Sequence, residues 1–537
     1  MADVKNRIHA HLLSFRPPKR VKVVGAPSFW TLLKSLTFVQ WMMFFSGWMA
    51  WTCDAIDFFS VSLTVNRLRV TFNESTHNVT TSITLTLLFR SVGAVIFGLA
   101  SDRYGRKWPL VLNMFLICGL QIGSSFTQTF SQFLACRSLF GITMGGVWGM
   151  AAATALENLP AELRGLASGV LQQGYAVGYL IAAVVNLSVV PKHSWRSLFW
   201  VAAGLSAFAG LLRATLPESE VFRRRQMQKR DAQDFAEANG APVETRTKTQ
   251  IFIHETVEML KRHWLLCIYA VLLMTGFNFL SHGSQDLYPT FLQDTKGFSA
   301  HSATVATIIG NCGAVAGGVV AGIISQYLGR RLTILLFILL VGCFIPLWIL
   351  PQGFAKLSAG AFCLQFAVQG AWAWSIPIQL AELSPPAFRA TFPGLMYQMG
   401  NMVSAASSQI EATGGDHLRT TLHGVNVPDY AKVQGILLGT VAAFTFVITF
   451  IGPTCPSHFF PRKHGFHFEE YALAFEEGGG KDKQIAVDDE PMPREKEVSV
   501  EDNDSIRRKS LTKSVLVEEK PEVRELEAAN RAGYDVW

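Results

Sequence analysis

The sequence predicts an all-α membrane protein of twelve transmembrane helices, arranged as two pseudo-symmetric six-helix bundles. Three observations predict it. Of 537 residues, 50% are hydrophobic and only 16% charged, well below the roughly 25% charged residues of soluble domains. Apolar runs of about 20 residues, the length that crosses a bilayer as a helix, recur along the chain. Two motifs repeat between the halves at nearly one offset. Gly98-Leu-Ala-Ser-Asp102-Arg103-Tyr-Gly105-Arg106-Lys107 is echoed by Gly322-Ile-Ile-Ser-Gln326-Tyr-Leu-Gly329-Arg330-Arg331. Glu157-Asn-Leu-Pro160-Ala-Glu-Leu-Arg164 is echoed by Glu382-Leu-Ser-Pro385-Pro-Ala-Phe-Arg389. A shared offset over two motifs marks a duplicated unit.

A segment 1–36 precedes the first span, and the first bundle (37–216) holds spans near 37–60, 82–101, 108–127, 131–156, 165–190 and 197–216. The stretch 217–263, with Glu218, Arg223 to Arg225, Asp231, Asp234 and Glu237, cannot sit in lipid and reads as a cytoplasmic linker. Spans near 264–290, 301–327, 331–350, 355–381, 390–412 and 433–453 make the second bundle (264–455). Residues 456–537 turn polar and read as a disordered cytoplasmic tail. Arg507-Arg508-Lys509 before Ser510 would suit a basophilic kinase, and Lys481 and Lys483 could accept ubiquitin.

Basic residues set the orientation. Arg16, Lys19, Arg20 and Lys22 precede span one, Arg103, Arg106 and Lys107 lie between spans two and three, and Arg223, Arg224, Arg225, Lys229 and Arg230 follow span six. The positive-inside rule makes these segments, and hence both termini, cytoplasmic. The sequons Asn73-Glu74-Ser75 and Asn78-Val79-Thr80 then fall in the first outside loop, where glycosylation is possible. The net charge of +7 reports topology and not nucleic-acid binding. No cleavable signal peptide is visible. The eight cysteines lie mostly in spans without metal-ligand spacing and read as small apolar fillers.

Within the apolar body, Asn278, Ser281, His282, Gln285 and Asp286 fall at i, i+3, i+4, i+7 and i+8 of span seven and share one face. An ionisable pair in hydrocarbon is expensive and is usually retained where it faces a partner or a wet path, so His282 and Asp286 are candidates for a proton site. Ser281 and Ser284 are equally compatible with interhelical hydrogen bonds that glue the bundle. Arg90 interrupts span two, about 18 Å from Asp102 at 1.5 Å per residue, near the bilayer centre. Its planar fork suits a carboxylate; the alternative is a structural salt bridge to Asp54 or Asp57. Those two acids lie three apart on one face of span one, in its outer half, and divide between proton carrier and structural partner of Arg137. Gln398 and Asn401 on span eleven can hydrogen-bond carboxyl or hydroxyl oxygens, or serve as packing glue.

The repeated motifs resemble those of the major facilitator superfamily, whose halves enclose a site near mid-membrane. The resemblance implies that Asp102, Arg103, Arg106, Glu157, Arg164, Arg330, Glu382 and Arg389 act as gate or scaffold residues and do not touch substrate. Asn278, Ser281, His282, Ser284, Gln285, Asp286 and Thr290 together fit the pattern N-x-x-S/T-H-x-S/T-Q-D-x-x-x-T, similar to the signature of fungal Jen-type carboxylate permeases in the sialate:proton symporter branch. Arg90 in F-R-S-V-G-A and Gln398 and Asn401 in Y-Q-M-G-N-M also match that family's substrate-handling residues. The resemblance implies a monomeric plasma-membrane carrier, without cofactor or metal, that takes up lactate, pyruvate or acetate with a proton. Some relatives prefer succinate or malate. A sugar facilitator is disfavoured because Glu220 and Val221 follow Pro217-Glu218-Ser219 where the sugar-porter ending has proline and arginine. A drug antiporter is disfavoured because span five lacks a Gly-Pro pair, and a nutrient sensor would favour a longer tail. No nucleophile–base set or phosphate loop suggests an enzyme.

Overall fold

The computed structural model describes residues 29–219, 260–375, 379–383 and 392–452, with the short pieces 20–21, 222–223, 227, 254, 257–258 and 462–463. The chain divides at Gly480 into two units, and every described residue belongs to the first. Ser510, Lys481, Lys483, Arg389 and most of the 217–263 linker lie outside the described residues, as do the side chains of Asp102, Arg164 and Glu382.

Twelve helical units follow one another: α1 (Phe38–Phe72), α2 (Thr76–Tyr104), α3 (Lys107–Phe126), α4 (Phe130–Leu156), α5 (Ala161–Ser188), α6 (Arg196–Thr215), α7 (Trp264–Gln285), α8 (Ala300–Leu328), α9 (Arg330–Ile349), α10 (Phe354–Trp372), α11 (Phe392–Ser404) and α12 (Tyr430–Ile451). After short breaks α7 resumes as Tyr288–Asp294 and α11 as Ser407–His417. Among the described residues, nine helices are long and apolar enough to cross a membrane by themselves. The three expected spans outside that set have physical reasons for it. Helix α1 carries Asp54, Asp57, Arg67 and Arg69, α10 carries Lys356, Gln365 and Gln369, and α11 is interrupted.

The ends of α1 and α2 correct the sequence reading. Thr37 caps α1 and closes a capping box with Gln40, and the helix runs to Phe72, where Asn73 takes the left-handed conformation (φ 53°). Ser75 then accepts from the Asn78 backbone N–H (3.1 Å) to start α2. The first outer loop is therefore only Asn73 to Ser75. Asn78 lies in the first turn of α2 with its amide donated to Glu74 (2.6 Å), although both sequon asparagines are exposed. The longer α1 also moves Asp54 and Asp57 from the expected outer half to the middle of the helix.

The duplication is visible in packing. Gly93 on α2 is so close to α4 that a Cβ would collide with the Ile142 carbonyl; at the echoed positions, a Cβ on Gly317 of α8 would collide with the Phe366 carbonyl of α10. At the outer end, meaning the end opposite the basic loops, a hairpin pairs Arg419–Leu422 with Val425–Pro428. Its turn uses positive φ at both His423 and Gly424, matching the twist of the strands. The alternation that would betray so short a hairpin is weak, and the sequence reading holds no strand there.

Candidate functional site

The halves meet at mid-depth around an aromatic cluster. Trp51 of α1 stacks on Tyr175 of α5 (5.5 Å), and Tyr175 meets Trp372 of α10 edge-on (6.2 Å). Arg90 is fully buried there, its Cζ 6.0 Å from the Trp51 ring and 5.7 Å from the Tyr397 ring of α11. Cation–π attraction holds the guanidinium between the two halves. Its Nε, Nη1 and Nη2 have no hydrogen-bond partner in the protein, and neither oxygen of the equally buried Asp54 has one. The two groups interact electrostatically without touching. The salt bridge from Arg90 to Asp54 or Asp57 that the sequence left open is not formed in this conformation.

Asp57 does something different. Its Oδ1 accepts from Gln121 of α3 (2.7 Å) and its Oδ2 from Ser206 of α6 (2.7 Å), while Arg137 of α4 donates to the same Gln121 (2.9 Å). Both lone-pair sets of the carboxylate face partners of its own bundle. Arg137 thus reaches Asp57 through an amide, and the direct pair that was one of the two expected readings is not formed.

On α7 every residue of the expected stripe is buried. His282 Nδ1 lies 3.2 Å from Asp286 Oδ1, one helical turn apart, and the imidazole meets Phe58 of α1 edge-on (5.6 Å). Ser281 donates to Gln285 (3.1 Å), Gln285 donates to Gln365 of α10 (3.1 Å), and Gln365 donates to Ser284 (3.0 Å). Thr290 sits buried in the Tyr288–Asp294 helix. Pro289 explains the break at Asp286: without an N–H it cannot bond the Gln285 carbonyl four residues back. Tyr179 of α5 takes that carbonyl instead (3.1 Å). The break in α11 is bridged likewise, Thr84 of α2 donating to the Ala405 carbonyl (3.0 Å). Gln398 donates to the Gly145 carbonyl of α4 (3.5 Å), and the side-chain oxygens of Gln398 and Asn401 and the Asn278 amide nitrogen have no protein partner.

The remaining expected residues sit at the inner end. Arg106 pairs with Glu157 (3.1 Å), whose other oxygen accepts from Ser219 (2.7 Å). Glu218 accepts from the backbone N–H groups of Arg106 and Lys107, an acid at the N-terminus of α3. Arg330 donates to Ser325 (2.6 Å) and faces Trp374, whereas Arg103 is exposed over Tyr104 and stands apart from this network.

Comparison with known proteins agrees with this fold. The model of the Major Facilitator Superfamily matches residues 16–408. The chain belongs to the major facilitator superfamily. It is 37% identical over 430 residues to a carboxylic acid transporter protein homolog of Saccharomyces cerevisiae, covering 78% of this chain and 69% of that one. A cis,cis-muconate transport protein of Acinetobacter baylyi is 25% identical over 380 residues (69% and 87% covered), and the sialic acid transporter NanX of Escherichia coli 24% over 418 (77% and 93%). A partially occluded inward-open structure of the xylose transporter XylE from E. coli superposes with a TM-score of 0.57 at 17% identity, covering 76% of this chain and 97% of that chain, a likeness of fold. This facilitator is a multi-pass membrane transport protein and not an enzyme.

Several residues of the facilitator's centre escaped the sequence reading. Tyr175, Tyr179, Gln365 and Tyr397 are aromatic or amide residues in apolar helices, and only the fold turns them inward. Tyr179, Ser284, Gln285, Tyr288, Asn311 and Gln365 line a cavity of about 10 Å³, the room of one water. Glu411 is wholly buried in the outer part of α11. A signal for it existed: Asn401, Ser404, Ser408 and Glu411 continue one polar face at helical spacing.

Proposed function

We propose that this facilitator is a carboxylate transporter, specifically a proton-coupled symporter that takes up short monocarboxylates such as lactate, pyruvate and acetate across the plasma membrane by alternating access. One observation carries the reading: the Arg90 guanidinium, buried at mid-depth between Trp51 and Tyr397, with none of its N–H groups bonded by the protein. A buried unpaired cation is costly, and an ionised carboxylate, which only accepts hydrogen bonds, is the ligand that satisfies it. The carboxylic acid transporter homolog and the muconate transport protein among its relatives support that substrate class.

In the proposed cycle the substrate carboxylate binds Arg90, with the Asn278 amide nitrogen free to donate to it and the Gln398 and Asn401 side-chain oxygens free to accept from a substrate hydroxyl. The proton settles on the His282–Asp286 unit of the opposite half, with Asp54, the unpartnered acid beside Arg90, as a further carrier. Loading anion and proton together lowers the charge of the closed centre, so the loaded carrier rocks more readily than a half-loaded one. Asp57, held by Gln121 and Ser206, stays a scaffold.

The test is uptake by the purified full-length chain in proteoliposomes, over lactate, pyruvate, acetate, succinate and glucose. Lactate accumulates against its gradient when the outside is acid, and a protonophore collapses the accumulation. Glucose transport with indifference to lactate would sink the proposal, and a preference for succinate would move it to dicarboxylates.

A further inference from the structure

We infer that Glu411 is a second proton-binding group of the transport cycle, placed between the outer surface and the His282–Asp286 pair. The inference rests on the proton-coupled reading above and adds to it a site that the motif does not contain. Glu411 is fully buried, six residues or about 9 Å before the outer end of its helix at His417. Its Oε2 accepts from Gln434 of α12 (2.9 Å), and its Oε1 lies 3.5 Å from the Ser407 hydroxyl.

The orientation of Gln434 is fixed by chemistry. Trp348 of α9 donates its indole N–H to the Gln434 carbonyl oxygen (3.2 Å), and an indole nitrogen can only donate. The amide therefore turns its NH₂ to Glu411. Both partners of the carboxyl are neutral, and among the described residues no cation pairs with it. A carboxyl so placed in hydrocarbon is far cheaper protonated than ionised, and such residues mark ion pathways.

The surroundings tie Glu411 to the coupling pair. Ser407 lies against Gly283, where a Cβ would come within 3.3 Å of its hydroxyl, so it stands between Glu411 and the His282–Ser284 backbone. Helices α2, α7 and α12 and the Val425–Pro428 strand pack against this helix. Their titratable and charged residues are His77 and Arg90, with Asp102, Arg103 and Tyr104 at the far inner end of α2, then Cys267 and Tyr269 in the inner part of α7 and His282 with Asp286 just beyond it, and Tyr430 and Lys432 behind the Asp429 cap; the strand has none, and the helix itself adds Asp416 and His417. Among these Asp286 acts on Glu411 electrostatically. Two carboxyls that feel each other do not both ionise readily, so a proton on one favours releasing the other's. The outer part of α11 also closes against α2, Gln409 donating to Thr80 (3.1 Å) and Thr81 (2.9 Å). A proton entering while that contact is open meets Glu411 before Asp286.

The experiment compares wild type and Glu411→Gln in proteoliposomes with lactate as probe, under an imposed acid-outside gradient. Lactate-for-lactate exchange serves as the check that the variant is assembled. The expected result is at least a tenfold fall in the accumulation ratio and a flattened dependence of uptake on external pH. Wild-type accumulation with an unchanged ratio and pH profile in Glu411→Gln would overturn the inference and leave the proton-coupled reading standing. Absence of gradient-driven accumulation in wild type would overturn both. If Glu411→Gln fails to assemble, Glu411→Asp decides: a displaced pH midpoint supports the site, and a midpoint identical to wild type removes it.

Discussion

The two bundles share a helix plan down to the glycine contacts of Gly93 with Ile142 and Gly317 with Phe366, yet they divide the charges between them. The first buries two arginines, Arg90 at mid-depth and Arg137 nearer the outer end, together with Asp54 and Asp57. At the position of α8 that echoes Arg90 stands Ala314, and the second bundle instead buries His282 and Asp286, with Glu411 nearer the outer end. The two arginines thus lie in the first half beside two acids, and the His282–Asp286 pair and Glu411 lie in the second. In the proposed cycle an anion and a proton would be drawn from opposite sides of one interface, so neither half would complete the site alone.

The sharpest way to break this division is Arg90→Lys. It keeps the positive charge but removes the fork, and the loss of about two charge-assisted hydrogen bonds is expected to lower lactate uptake by about 100-fold or more. Surface labelling in a carrier-null yeast checks that the protein arrives; normal uptake would remove Arg90 from the site. Next in size are the paired variants Gly93→Val and Gly317→Val. Each inserts atoms where a carbonyl already sits, so each should destabilise by about 2 kcal/mol, read as a lowered melting temperature in detergent. A marked inequality between them would show that the bundles are not equivalent scaffolds.

His282→Ala addresses the second half. Acid-driven accumulation should fall about tenfold while lactate exchange suffers less; equal losses would give the histidine a binding or structural role. The smallest effect is expected at the outer seam, where Asp294 beyond α7 accepts from Arg69 (2.8 Å) and Asn66 (2.9 Å) of α1. The Arg69 and Asp294 side chains are 35% and 20% exposed, so this ion pair contributes about 1 kcal/mol or less. Arg69→Ala should change the apparent affinity for external lactate by less than about fivefold, with the difference shrinking at high salt.

What the sequence made legible follows from contrast. Arg90 and the α7 stripe stand out because charge and amides interrupt apolar runs, and the echoed motifs expose the duplication. Helix ends were less legible, since α1 and α2 extend past their apolar runs into polar caps at Asn73 and Ser75. Glu411 falls inside the expected eleventh span (390–412), but among the polar neighbours Ser-Ser-Gln-Ile-Glu-Ala-Thr-Gly-Gly-Asp it lacks the apolar contrast that makes Arg90 stand out. The Asp57–Gln121–Arg137 relay joins three helices, and no spacing along one chain segment can reveal such a triangle.

Both interruptions, at Asp286 and at Ala405–Ala406, fall in second-bundle helices, and each leaves a main-chain oxygen that a first-bundle hydroxyl satisfies, Tyr179 in one case and Thr84 in the other. When the bundles part, those oxygens lose their donors and solvent must replace them. Separation is then also a wetting event, and its rate should respond to osmotic stress that withdraws water from the cleft.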